Sequence, residues 1–406
     1  MSDKALTVNG RTYAWPKHPT VIVCIDGSEP AYMDDAIAAG VMPWLKEARK
    51  NGSDHIADCV VPSFTNPNNM SIVTGVAPAV HGIAGNFFWD PDTGEEIMMN
   101  DPKLLRVGTI HAAFSQAGAK VAVVTAKDKL RSMLGHELIG IAFSAEKATN
   151  ANMADNGIEN VLDLVGLPQP SVYSADVSEF LFAAGVKLME TMRPDIMYLS
   201  TTDYIQHKHA PGTKDANSFY AMMDSYWQKL DAMGAVIAMT ADHGMNAKHM
   251  ENGEPQVIYL QDLLDEWFGV NSARVILPIT DPYVAHHGAL GSFATAYMSD
   301  KIDAFMARLK DVDGITHVLT RSEAAAEFEL PEDRIGDVVV VSDRHTTLGT
   351  SADRHDLSGL NVPLRSHGGV TEQRVPLILS KPTPNLDTAR RLRNFDIFDL
   401  VLNEAQ

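Results

Sequence analysis

Asp203 and His207 stand four positions apart in Thr201-Thr202-Asp203-Tyr204-Ile205-Gln206-His207, directly after the apolar run Ile196-Met197-Tyr198-Leu199. Four residues make about one helical turn, so a carboxylate oxygen and an imidazole nitrogen can face one point. That donor pair suits zinc. A working centre needs more: further ligands, a nucleophile, and cationic groups if the ligand is an anion. Asp26, Asp242-His243 and His367 are further ligand types, Thr65 is a hydroxyl nucleophile, and Lys127 and Lys129 are the cations. Asn86, in the Gly-bracketed stretch Gly82-Ile83-Ala84-Gly85-Asn86, is a hydrogen-bond donor.

These residues share a position relative to the apolar runs. Asp26 follows Val21-Ile22-Val23-Cys24-Ile25, and Lys127 follows Val121-Ala122-Val123-Val124. Asp242 follows Val236-Ile237-Ala238-Met239, and Thr65 follows a strand-like stretch over 56–61. Continuous apolar runs of this length predict buried parallel strands. Open parallel sheets bind ligands beyond the carboxyl ends of their strands. Taken singly, each residue has a plainer reading. Asp26 and Thr65 would be helix caps, His243 a satisfied core histidine, Lys127 and Lys129 solvated charges. Five strands ending in this way are a constellation. His81, His209, His249, His286 and His287 keep the plainer reading, with His209 nearest the metal-type stretch.

The remaining elements fill in an α/β chain. Residues 6–13 predict a hairpin turning at Asn9-Gly10, and helices are expected near 108–117, 177–192 and 215–233. Pro67 suits the first turn of a helix begun at Thr65. From about 275 to 341 short strands and helices alternate, which predicts a smaller inserted α/β domain. The expected division is a core of 1–270 and 355–406, with a cap over 271–354. A last strand over 375–379 and a terminal helix close the chain.

Composition narrows the function. The chain has 406 residues and a formal net charge of -19, which argues against nucleic acid or an anionic membrane as partner. No apolar stretch reaches the length of a membrane span, and the opening residues carry no secretory pattern, so a cytoplasmic protein is expected. Cys24 and Cys59 both lie in apolar runs and are expected to be reduced core thiols.

Asp26-Gly27, Thr65 with Asn66-Pro67-Asn68, Asp203-x-x-x-His207, Asp242-His243-Gly244 and His367-Gly368 together resemble the metal signature of the alkaline phosphatase superfamily. Their order and spacing are similar to its nucleotide pyrophosphatase/phosphodiesterase branch, as are Ser71-Ile72-Val73-Thr74-Gly75 and Gly82-Ile83-Ala84-Gly85-Asn86. The Lys127-x-Lys129 pair narrows the resemblance to members that hydrolyse the carbon–phosphorus bond of phosphonoacetate. The resemblance implies an alkaline-phosphatase-like α/β core: a mostly parallel central sheet, helices on both faces, and an inserted cap. It also implies two zinc ions per subunit. Asp203, His207 and His367 would hold one. Asp26, Asp242 and His243 would hold the other, with Thr65 Oγ completing it. Thr65 would be the nucleophile, passing through a phospho-threonine. Asn86, Lys127 and Lys129 would bind substrate and serve catalysis.

A small anionic phosphonate is the implied partner, and a homodimer the expected assembly. Charge fits: two zinc ions, three aspartates and a threonine alkoxide sum to zero, so the two lysines leave the pocket positive. Phe87, Phe88 and Trp89 would wall the pocket or simply pack. Three other readings stay open. One is a phosphodiesterase or nucleotide pyrophosphatase on the same core, for which an aromatic slot for a base is expected. The others are a phosphosugar mutase and a phosphonate-binding protein without turnover.

Overall fold

A computed structural model describes residues 4–90, 92–279, 289–358, 360–387 and 389–405. His286 and His287 lie outside the described residues. The central feature is a seven-stranded sheet in the order Ser53–Asp58, Arg374–Leu379, Val236–Thr240, Thr20–Cys24, Ile196–Ser200, Val121–Thr125, Ile141–Ser144. The last five run parallel. Arg374–Leu379 is antiparallel to both of its neighbours.

Alternation along the strands explains why both faces are covered. Ile22, Cys24, Val123 and Tyr198 belong to one buried cluster, with Ile72, Val73, Phe114 and Phe398. Val21, Ala122, Val124, Met197 and Leu199 belong to the other, with Phe180, Leu181, Trp227 and Leu230. Successive residues point to opposite faces, so an unbroken apolar run needs a layer on each side. Thr65–Thr74 and Ile110–Gln116 cover one face; Asp176–Thr191 and Lys214–Ala232 cover the other.

Register positions the polar residues. Thr240, Cys24, Ser200 and Thr125 are successive lateral partners. Four strands therefore end on one line. Asp26, Lys127 and Asp242 stand two residues past that line and Asp203 three. The reversed strand is entered from the same rim, because its first residue, Arg374, pairs with Asp58 at the carboxyl end of Ser53–Asp58, and Leu377 pairs with Thr240 at the carboxyl end of Val236–Thr240. His367, just upstream, arrives at that rim too.

A second sheet, wholly antiparallel, orders Ala273–Ile276, Phe293–Met298, Val338–Ser342 and Ile315–Thr320. One face packs on Leu260–Phe268 and Ile302–Leu309 through Leu264, Phe305 and Val340. The other face gives Phe293, Val339 and Val341 to the main core. The two sheets thus share continuous apolar packing. The expected hairpin is present, Ala5–Val8 with Arg11–Ala14, and Asn9 and Gly10 both take positive φ. Cys24 and Cys59 are free and buried. No helix among the described residues is long and apolar enough to cross a membrane.

The turn between Ser53–Asp58 and the Thr65 helix is held by one buried amide. Asn68 Oδ1 accepts the Val60 N–H at 2.7 Å, and its Nδ2 donates to the carbonyls of Val60, Pro62 and Phe64. Asn68→Ala leaves the Val60 N–H buried without that acceptor. It is expected to cost about 2–3 kcal/mol in urea unfolding at unchanged m. A loss below about 0.5 kcal/mol would show that the turn holds itself, since one lost hydrogen bond already exceeds that.

Candidate active site

Asp203 follows its strand as the residue before the short helix Tyr204–Lys208, which puts His207 one turn on. His207 Nε2 lies 3.0 Å from Asp203 Oδ2, and His367 Nε2 lies 3.9 Å from the same oxygen. Asp203, His207 and His367 thus offer ligand atoms within 4.8 Å of one another. A second such group is Asp26, Asp203 and His243, with His243 Nε2 3.2 Å from Asp26 Oδ1. Asp203 belongs to both.

Asp242 stands at the edge of the second group, its Oδ1 3.9 Å from His243 Nε2. Its oxygens accept from the N–H groups of Gly27 and His243 and from Asn69 Nδ2. The His243 and His367 rings stack with centroids 3.6 Å apart, so the two groups adjoin.

Each histidine is oriented the same way. Nδ1 of His207, His243 and His367 faces a backbone carbonyl, of Arg365, Gly244 and Ser63 respectively. A proton on Nδ1 leaves Nε2 as the lone-pair nitrogen, the tautomer a metal requires. Nε2 of His243 and of His367 and Oδ1 of Asp26 are buried with no hydrogen-bond partner. Most buried polar atoms in folded proteins are paired. These three fit ligand positions for divalent cations.

Thr65 opens the helix Thr65–Thr74, whose cap residue, Phe64, gives no side-chain hydrogen bond. The Thr65 N–H and the positive end of the helix dipole thus lie at the cleft that Thr65 lines. Asn69, one turn on, ties this helix to the rim. Its Nδ2 donates to Thr65 O and Asp242 Oδ2, and its Oδ1 accepts from Tyr198 and Ser200. Sequence reasoning gave Asn69 and Ser63 no role, and Asn66 only a place in the Thr65 motif. A signal was present for Asn69: it shares a helix stripe with Ile72 and Val73, where a side chain is expected in the core.

Thr65, Asn66, Asn86, Met98, Asn100, Lys127, Lys129, Leu130 and Glu146 enclose a cleft of about 80 Å³. Asn86 Oδ1 accepts the Asn66 N–H at 3.2 Å, which settles its amide orientation. Lys129 is exposed at the mouth. Lys127 is nearly buried, and its Nζ lies 2.7 Å from Asp26 Oδ2 and 3.0 Å from Asp203 Oδ1. The lysine expected to read a substrate therefore also neutralises two rim carboxylates. Trp89 does not line this cleft; the Arg274 guanidinium covers its ring at 4.1 Å. Arg334 lies over Phe88. A cleft more than ten times larger adjoins the second sheet, but it contains none of the chemistry-bearing residues.

A family model for type I phosphodiesterase / nucleotide pyrophosphatase matches residues 20–369. The chain belongs to the type I phosphodiesterase / nucleotide pyrophosphatase family. A crystal structure of phosphonoacetate hydrolase from Sinorhizobium meliloti 1021, in complex with phosphonoformate, is 59% identical to this member, covers 100% of both chains and superposes with a TM-score of 0.96. The same enzyme in complex with phosphonoacetate gives the same values. Murine ectonucleotide pyrophosphatase / phosphodiesterase 5 shares the fold at 16% identity, with 96% of each chain covered and a TM-score of 0.64. Ectonucleotide pyrophosphatase/phosphodiesterase 1 of Saccharomyces cerevisiae is 38% identical over 85 residues, 19% of this chain and 11% of the yeast protein. The match thus spans about a tenth of that relative's length. The core is the alkaline-phosphatase-like α/β fold.

Electrostatics give a test of the site. Burial pushes the Asp242 carboxyl up, Asp26 pushes it further, and it reaches about 8. Burial pulls the His243 imidazole down, but Asp242 and Asp26 outweigh it and raise it to about 9. Burial pushes Asp203 up, and Lys127 and His207 reverse this, holding it well below the ordinary value. In metal-free protein the raised groups retain protons at neutral pH. Their stabilising contribution is complete only below the ordinary values of 3.8 and 6.5 and is lost as pH rises through about 8 and about 9. Chelated protein is therefore expected to melt lower at pH 9 than at pH 6. Zinc should bind more tightly over that rise and release on the order of one to two protons per chain at pH 7, read by calorimetry in two buffers. Proton-neutral, pH-independent binding would contradict this.

Proposed function

We propose that this chain hydrolyses the carbon–phosphorus bond of phosphonoacetate, giving acetate and phosphate. The observation that carries the reading is one cleft lined by Thr65, Lys127 and Lys129, with the Lys127 ammonium reaching from it to Asp26 and Asp203 of the two carboxylate–histidine groups. The full-length likeness to phosphonoacetate hydrolase supports it. Asp203, His207 and His367 would hold one divalent cation, and Asp26, Asp242 and His243 a second. The nitrogen-and-oxygen donor set favours zinc. When bound, such ions supply Lewis acidity toward the Thr65 hydroxyl and the phosphoryl oxygens.

Thr65 Oγ attacks phosphorus, and its β-branch limits the rotamers from which it can aim. The Thr65 N–H, at the positive end of its helix, and the Asn86 Nδ2 amide donate to the phosphoryl oxygens. Carbon is a poor leaving group, so the departing carboxymethyl group needs its charge spread onto its carboxylate. Lys129 and Lys127 stabilise that enediolate-like charge, which is greatest in the transition state. Protonation at carbon gives acetate. Water then cleaves phospho-Thr65, releasing phosphate and restoring the hydroxyl. Residues 271–354 are read as an inserted cap, and the assembly as a cytoplasmic homodimer.

The family match favours phosphodiester cleavage as a second reading. Against it, Trp89 lies outside the Thr65 cleft, and no aromatic residue lines that cleft among the described residues. A pure binding role leaves the Thr65 placement without a purpose.

Thr65→Ala is expected to keep the metal content while phosphate release from phosphonoacetate falls by roughly three orders of magnitude or more. Near-normal turnover would remove Thr65 as nucleophile. Lys129→Ala is expected to lower kcat/KM for phosphonoacetate by about ten- to a hundredfold and for nitrophenyl phosphate by under about threefold. Equal losses would mean that Lys129 does not read the carboxylate. Turnover of a nitrophenyl phosphodiester with none of phosphonoacetate would replace the main reading with the second.

A further inference from the structure

The loops carrying His243 and His367 are fastened to one residue to which the reaction assigns no part, Glu372. It is fully buried, and four donors converge on its carboxylate. Gly369 N–H reaches Oε2 at 2.9 Å. Asn246 Nδ2, Thr371 Oγ and Lys248 Nζ reach Oε1 at 2.5, 2.6 and 3.0 Å. Its backbone carbonyl accepts the Gly244 N–H at 2.7 Å. Gly369 is two residues from His367, and Gly244 is the neighbour of His243. The Lys248 ammonium is also fully buried and donates to Asp343 O.

The same connection reaches the third histidine. Asn246–Ala247 pairs with Arg365–Ser366, and the Arg365 carbonyl faces His207 Nδ1. Stability does not account for this arrangement, because an apolar pair of similar volume holds a core at least as well as a buried ion pair. Acceptor capacity does. An ionised carboxylate accepts about four hydrogen bonds and donates none, whereas an amide sets an N–H against one of the donors. Glu372 meets that need at a point where the two ligand loops adjoin.

We infer that the Glu372–Lys248 ion pair is a positioning device that fixes the spacing between the two metal positions. The inference rests on the two-cation reading given above. Loosening the pair lets the His367 loop and the Asp242-His243 loop drift relative to each other, so the second cation loses affinity. Substrate binding at the lysine end of the cleft is untouched.

The test uses the full chain as Glu372→Gln and as the double variant Glu372→Gln/Lys248→Met. The double variant leaves no buried charge without a partner, so it remains informative where the single variant fails to fold. Zinc is titrated calorimetrically into chelated protein, alongside circular dichroism of the metal-free state and steady-state kinetics. In the double variant the second zinc equivalent is expected to bind at least tenfold more weakly, with an unchanged metal-free spectrum. At saturating zinc, kcat for phosphonoacetate is expected to fall about tenfold, with KM within about threefold. A variant that melts lower yet matches the wild type in zinc affinity and kcat overturns the inference and leaves the two-cation reading standing. A wild-type chain that takes up fewer than two equivalents overturns that reading, and the inference with it.

Discussion

Three aspartates, Asp26, Asp203 and Asp242, sit fully buried on one rim of the sheet. Like charges gathered in a dry environment repel, and each has lost its hydration. The structure responds on every side. The Lys127 ammonium bridges Asp26 and Asp203. Asp242 takes N–H donors from Gly27 and His243, and the Thr65 helix turns its positive end toward the group. Asp242 and His243 hold protons beyond their usual range. A site that must recruit this much positive character is prepared to exchange it for cations.

The seven strands explain how so costly a cluster persists. The three aspartates follow three parallel strands that end at one level, with Lys127 after a fourth, so no single loop carries the repulsion. Distance across the sheet is set by backbone hydrogen bonds, which side-chain repulsion does not stretch. Overall charge is a separate matter. The chain carries -19, yet the cleft mouth presents Lys129. A small anion thus meets repulsion at long range and attraction within a few ångströms, and screening by salt shortens the first more than the second.

Much of this was legible in the sequence because its signals are local. Val21–Ile25 or Val236–Met239 followed by Asp reads as a buried strand ending in a carboxylate, and the structure has both strands buried with Asp26 and Asp242 just past their ends. What escaped depends on partners far along the chain. Asn69 matters because Asp242, Tyr198 and Ser200 converge on it, and nothing beside it announces them. Ser63 orients His367 across more than three hundred residues. The strand Ile141–Ser144 is four residues long and escaped as a strand because so short a run has no readable period. The hairpin Phe87–Asp90 with Glu95–Met98 read as a loop with aromatics, and its far strand places Met98 over the cleft. The reversal of Arg374–Leu379 was likewise hidden, since one apolar strand looks the same in either direction.

That reversal has a bearing on how the molecule is made. The strand entered from the rim follows His367 and is threaded between Ser53–Asp58 and Val236–Thr240. The ligand set is therefore incomplete until translation has passed residue 367 of 406. From residue 242 to residue 367 the growing chain carries all three rim aspartates without their last histidine, and Arg374–Leu379 then completes the sheet between two strands made earlier.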